Sequence, residues 1–194
     1  MKTIADLKRV GFDIHAVNHA MAILTKDFPK PLGELCSALL DIRIADLELV
    51  KSGGGESPIT QRLRRALTEL NWPKRRVVIR KTVDNIERHS ITHEIDHMRT
   101  NENGVIALEI EWNNKDPFFD RDLDNFHRLH SEGAISVGVI VTRGSSLQEN
   151  LIQIISACAV RHEVAEIKDL EMNYGLVPTP RQQKKMRQKD GDFG

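Results

Sequence analysis

The chain has 194 residues, 40% hydrophobic and 29% charged, a balance that suits a folded protein and excludes global disorder. Its 28 basic residues offset 28 acidic ones, so no overall basicity draws the chain to polyanions. No apolar run approaches the roughly 20 residues of a bilayer span, and the N-terminus is too polar for a secretory signal.

Ile14, Val17, Met21 and Leu24 recur at helical spacing over residues 14–25, and 32–41 read as a second helix entered through Pro29 and Pro31. KSGGGE at 51–56 reads as a flexible loop. Ser57 caps and Pro58 opens a helix whose buried stripe is Ile59, Leu63, Leu67 and Leu70, and Asn71-Trp72-Pro73 ends it. Val77, Val78 and Ile79 belong to a strand, and residues 90–98 and 105–112 form a hairpin around Asn101-Glu102-Asn103-Gly104. Asp116-Pro117 starts a helix with Phe119, Leu123, Phe126 and Leu129 on one face and Gly133 beyond its end. AISVGVIVT at 134–142 has the apolar, β-branched character of a strand buried on both faces. Ser146 and Glu149 make a capping-box pattern before a helix carrying Leu147, Leu151, Ile154, Ile155 and Cys158. From Pro178 the chain is polar and basic, with the character of a mobile tail. This order predicts an α/β fold, a mixed central β-sheet flanked by helices, in a single domain: a helical part over 1–50, the core over 51–177 and the tail over 178–194. Cys36 and Cys158 lie in apolar stretches and read as buried, reduced thiols of a cytoplasmic protein, and no Cys/His spacing resembles a zinc site.

The chemistry concentrates in the hairpin. Along its second strand Ala107, Glu109 and Glu111 share one face, and Leu108, Ile110 and Trp112 the other. Glu109 and Glu111 are then roughly 7 Å apart. If Thr100 opposes Val105, Asp96 opposes Glu109, with Cβ atoms about 5 Å apart. Three carboxylates gathered in this way repel one another unless a cation neutralises them, and hard oxygen donors suit Mg2+. A solvated acidic strand would show the same alternation, so the surrounding segments decide. RLRR at 62–65, KRRVVIRK at 74–81 and RQQKKMRQK at 181–189 are basic, while acids gather at 41–48 and 94–124, as expected for a basic cleft around an acidic metal site. Arg62, Arg64 and Arg65, with Lys74, Arg75 and Arg76, are placed to face phosphates, and Asn113 and Asn114 follow directly on the acidic strand. His93 and His97 fall on the face opposite Asp96 and read as groups that pack or support the ligands from behind; His127 and His130 read as a solvated helix face.

Those segments carry a resemblance. ALEIEWNNKDPFFDRDLDNFHRLHSEGAISVGVIVTRG at 107–144 resembles the catalytic core of restriction endonucleases of the BglII and BstYI kind, members of the PD-(D/E)xK superfamily. SGGGESPITQRLRRALTELNW at 52–72 resembles their loop and amphipathic helix, and HEID at 93–96 stands where the family supplies its first metal carboxylate. The resemblance covers about residues 50–145. It implies a type II site-specific endonuclease: a homodimer that clamps double-stranded DNA at a short palindrome, GATC-centred in the nearest resemblances, and cuts it with Mg2+, with no membrane and no organic cofactor involved. It implies Asp96 and Glu109 as metal ligands, with the backbone carbonyl of Ile110 completing the shell. Glu111 stands where the superfamily usually has Lys; it would bind metal or accept a proton, and Lys115 would supply the missing positive charge. Glu94 is the alternative to Asp96. Two other readings stay open, a structure-selective or repair nuclease and a non-catalytic DNA-binding relative.

Overall fold

A computed structural model of the chain describes residues 1–50, 56–112, 116–177 and 180. Thr3 starts the first helix, α1 (Ile4–Arg9), in a capping box: its hydroxyl accepts from the Asp6 N–H while the Asp6 carboxylate accepts from the Thr3 N–H. The helix expected over 14–25 is shorter, α2 (Ala20–Lys26), because Asn18 and His19 take positive φ and the helix begins only after them. Then come α3 (Pro29–Leu40), α4 (Asp46–Val50) and α5 (Pro58–Glu69), the last stopped by Asn71 at φ 64°. The strands follow: β1 (Arg75–Val83), β2 (Ile86–Ile95), β3 (His97–Asn101) and β4 (Gly104–Glu111). After them come α6 (Asp116–Ser131), β5 (Val137–Thr142), α7 (Ser145–Glu149), α8 (Leu151–Arg161) and α9 (Ile167–Tyr174).

The chain divides into two compact units, residues 1–42 with 59–144, and 43–58 with 145–194. The first contains the strands. Its mixed sheet runs β3-β4-β5, with β3 antiparallel and β5 parallel to β4, and α6 makes the crossover between the parallel pair. The hairpin register is the expected one, Thr100 opposite Val105, closed by Glu102-Asn103 between Asn101 and Gly104. The segment expected as one strand over 90–98 breaks at Asp96: β2 before it pairs with β1 in a separate antiparallel ribbon, and β3 after it pairs with β4. That ribbon turns at Asp84-Asn85, both at positive φ as a primed two-residue turn requires.

Burial follows strand position. β4, with a partner on each side, is the strand buried on both faces; β5 has one partner, and beyond Val137 its residues are half-buried or, at Gly138 and Thr142, exposed. On one face of β4, Ile106, Leu108 and Ile110 pack with Val137 of β5 against Leu35 and Leu39 of α3 and Leu63 and Leu67 of α5. Each such side chain contributes about 2 kcal/mol on leaving water. Glu34 ties α3 to this sheet: its carboxylate takes two bonds from Arg99, at 2.8 and 3.0 Å, and one from the Trp72 indole at 3.0 Å. On the other face α6 covers β4 and β5, with Phe126 and Leu129 against Ala107, Met98 and Ile95. Gly138 admits it, since a Cβ there would lie 2.4 Å from the Phe126 ring. The expected α6 stripe is wrong at one position: Leu123 is 57% exposed, and Asp122 faces inward at 2%.

In the second unit α4 packs on α8. The helix expected to continue from Ser146 through Cys158 is broken at Asn150 into α7 and α8. Cys36 and Cys158 are free and buried, each within its own unit. Most of the expected loop at 51–56 and all but residue 180 of the expected tail lie outside the described residues. Among the described residues no helix is long and apolar enough to cross a membrane.

Candidate active site

Two elements bring the acids of the hairpin near one another in pairs, although Asp96, Glu109 and Glu111 do not form a group of three with ligand oxygens all within 4.8 Å of one another. The break at Asp96 turns its side chain back onto β4, where its Oδ2 accepts from the Ile110 N–H at 3.3 Å. Its own N–H donates to Glu109 Oε2 at 3.2 Å. Asp96 Oδ1 accepts from Arg64 of α5 at 3.0 Å. Strand alternation puts Glu111 beside Glu109 on the same face, the face α6 covers. Both are buried, Glu109 at 7% and Glu111 at 4% exposure, so the solvated acidic strand that would show the same alternation does not describe them.

Asp122 of α6 meets Glu111 from above, and Arg121 spans both, at 2.9 Å from Asp122 Oδ1 and 3.6 Å from Glu111 Oε1. The four acids therefore form two neighbouring pairs, Asp96 with Glu109 and Glu111 with Asp122. Glu111 Oε2 and Asp122 Oδ2 are buried without a hydrogen-bond donor among the described residues. Two ionised carboxylates cannot satisfy each other; a proton on one of them or a cation beside them resolves the pair.

The acids titrate accordingly. Burial, and then the charge of Asp96, push Glu109 up to about 8. Burial raises Glu111 to about 7, helped by the hydrogen bond it shares with Asp122 when one of them is protonated and by the charge of Asp122, against the pull of Arg121. Such shifts mark groups whose ionised form is desolvated and crowded by other acids more than it is offset by a cation. The donor set is all oxygen, and the two orphaned oxygens are acceptors; both fit a hard divalent cation of the Mg2+ class.

The other predicted residues are placed as follows. Glu94 stays out of the cluster: it is exposed on β2 and paired with Lys74 at 2.5 Å. Arg65 and Arg75 are exposed and Arg62 is half-buried. Asn113, Asn114 and Lys115 lie outside the described residues. Ile110 sits between the two acids with its N–H committed to Asp96. His97 is buried and its Nδ1 donates to the Trp72 carbonyl at 2.6 Å, a packing role, while His93 is half-buried and burial lowers its pKa. His127 and His130 are exposed.

Three residues at the cluster escaped the sequence reading. Asp122 fits the inward stripe of α6 as well as Leu123 does, since both lie at helical spacing from Phe119 and Phe126, and hydropathy chose the wrong one. Arg64 was grouped with the phosphate-facing arginines, yet it meets Asp96. The charged run at 120–122 reads as local helix pairs, and Arg121 does pair with Asp122, but its reach to Glu111 has no signal in the run.

The sequence model of one family, described as restriction endonuclease BglII/BglIII, matches residues 12–189. No curated protein and no solved structure matches the chain.

Proposed function

The chain belongs to the BglII/BglIII restriction endonuclease family, and from that premise we propose that it is a Mg2+-dependent type II enzyme cutting double-stranded DNA at a short palindrome, GATC-centred, as a homodimer. The observation that carries the reading is the buried pair Glu109 and Glu111, raised to about 8 and about 7 on one face of β4 with Asp96 and Asp122 beside them. Buried acids that cannot ionise unaided make sense where a cation completes the site.

In this reading Asp96, Glu109 and the Ile110 carbonyl hold the Mg2+, with Glu111 at its edge. Bound there, the ion would polarise the scissile phosphodiester and neutralise charge on the leaving oxygen. Glu111 is the proton acceptor proposed for the attacking water, a carboxylate beside the metal ligands whose Oε2 has no hydrogen-bond partner among the described residues. Asp122 holds Glu111 in place and sets its proton affinity, while Arg64 positions Asp96. Where the superfamily usually places Lys beside the metal, Arg64 and Arg121 bring positive charge from neighbouring helices, and Lys115 would add to it. Arg62, Arg65, Lys74, Arg75, Asn113 and Asn114 are the DNA contacts proposed, chiefly to phosphate.

Digestion of a plasmid of known sequence with Mg2+, followed by end mapping, tests this directly. Discrete fragments with one common end sequence are expected. Glu109→Ala should abolish cutting with DNA binding retained, and Glu111→Gln should slow it by about 10^2- to 10^4-fold. Undiminished cutting by Glu109→Ala would remove the mechanism. Smears or branch-dependent nicks would favour a structure-selective nuclease, and binding with no metal-stimulated cleavage a non-catalytic relative.

A further inference from the structure

The second unit contains a cluster that the nuclease reading does not use. Asp46 opens α4, Cys158 lies in the last turn of α8, and His162 follows its end. One carboxylate oxygen, the thiol sulfur and one ring nitrogen all lie within 4.8 Å of one another, the sole group of three such residues found among the described ones. Cys158 is buried at 2% exposure, and the other two are half-buried.

Each donor is held in place by a neighbour. The Arg161 guanidinium takes Asp46 Oδ2. Oδ1, which accepts from the Leu47 N–H at 2.9 Å, is left facing His162 Nε2 at 3.5 Å. The Tyr174 hydroxyl of α9 donates to the His162 carbonyl at 3.2 Å and lies 3.2 Å from Nδ1. The hydroxyl thus holds the Nδ1 side of the ring and leaves Nε2 turned toward Asp46, where in the metal-free protein it hydrogen-bonds the carboxylate. A metal-ligating imidazole is oriented in the same way, one nitrogen anchored and the other free to coordinate.

We propose that Asp46, Cys158 and His162 bind a divalent transition metal ion, Zn2+ by preference, which fastens α4 to the end of α8. Thiolate, imidazole and carboxylate together suit Zn2+, whereas Mg2+ takes oxygen donors, so this site and the acid cluster select different ions. Water fills the fourth position. Burial and the neighbouring Asp46 carboxylate raise the Cys158 thiol, which without metal is a neutral donor to Asp46. On metal binding the thiol proton leaves to solvent as the sulfur–metal bond forms. The proposal stands whether or not the chain cuts DNA.

Co2+ titration of the chelator-treated full chain tests it. One equivalent is expected to give the near-ultraviolet thiolate-to-cobalt charge-transfer band, which Zn2+ then erases, and Zn2+ alone should raise Tm. The band should be lost in Cys158→Ser and in His162→Gln, and kept in Cys36→Ser and in Glu109→Ala, which removes a carboxylate of the other cluster. If either substitution at the site prevents folding, the wild-type band and its erasure by Zn2+ still decide. Absence of the band in the folded wild type, or its survival in Cys158→Ser, overturns the proposal.

Discussion

The two faces of β4 differ in everything except burial. Ile106, Leu108 and Ile110 meet apolar side chains from α3 and α5, and every contact there lowers the free energy of the folded state. Ala107, Glu109 and Glu111 are as well covered, by α6, yet two of them are acids whose charge is offset only in part, by Arg121 beside Glu111. One face is built for stability, while the other buries acids at a cost in stability. The same strand shows that burial alone does not identify a core; what the buried atoms can bond to does.

Leu108→Ala and Glu109→Gln should separate the faces most sharply. The first should cost about 3 kcal/mol by opening a cavity. The second should cost nothing at pH 5 and raise metal-free stability at pH 8, because the amide keeps the bond from the Asp96 N–H without the burden of charge. Chemical denaturation of both variants checks this, and equal destabilisation would mean that the acid face is structural too.

The pH dependence of the metal-free protein comes next in size. Above 4.5 the unfolded chain ionises Glu109 and Glu111, while the folded protein holds their protons to about 8 and about 7. The folded state then binds more protons, so stability should fall as pH rises through this window, by a few kcal/mol as an order of magnitude. Thermal melts with and without Mg2+ read this directly: the slope should flatten with the ion and in Glu109→Gln.

Gly138→Ala should cost about 1–3 kcal/mol, because the new methyl meets Phe126 and α6 must shift on the sheet. Cleavage should weaken with it, since α6 carries Asp122. Asp122→Asn should leave the fold intact and lower the pKa of Glu111, moving the acid limb of the cleavage profile to lower pH; an unmoved limb would detach Asp122 from the reaction. The smallest effect is expected at Arg65, whose replacement by Ala should reduce the salt dependence of DNA binding by about one phosphate contact.

Much of this was readable in the chain itself. Strand alternation put Glu109 and Glu111 on one face, the Asn101–Gly104 turn set the register that brings Asp96 to them, and the apolar stripe of α5 located its buried side. These are local periodicities, carried by neighbouring residues. The helix and strand boundaries were less legible: positive φ at Asn18 and His19, the break at Asp96 and the interruption at Asn150 each divide a segment whose pattern runs on.

Which face α6 would cover, and therefore that Asp122 rather than Leu123 would turn inward, was decided by packing: helical spacing admits both, and only the sheet beneath selects. The meeting of Arg64 with Asp96, and of Asp46 with Cys158 and His162, joins residues far apart in the chain, and no spacing rule reaches that far. The sequence by itself determined which acids share a strand face. Only the tertiary structure determined how deeply they are buried, which cations and carboxylates stand beside them, and hence how strongly they hold their protons, because charge interactions depend on distance and solvent exclusion rather than on order along the chain.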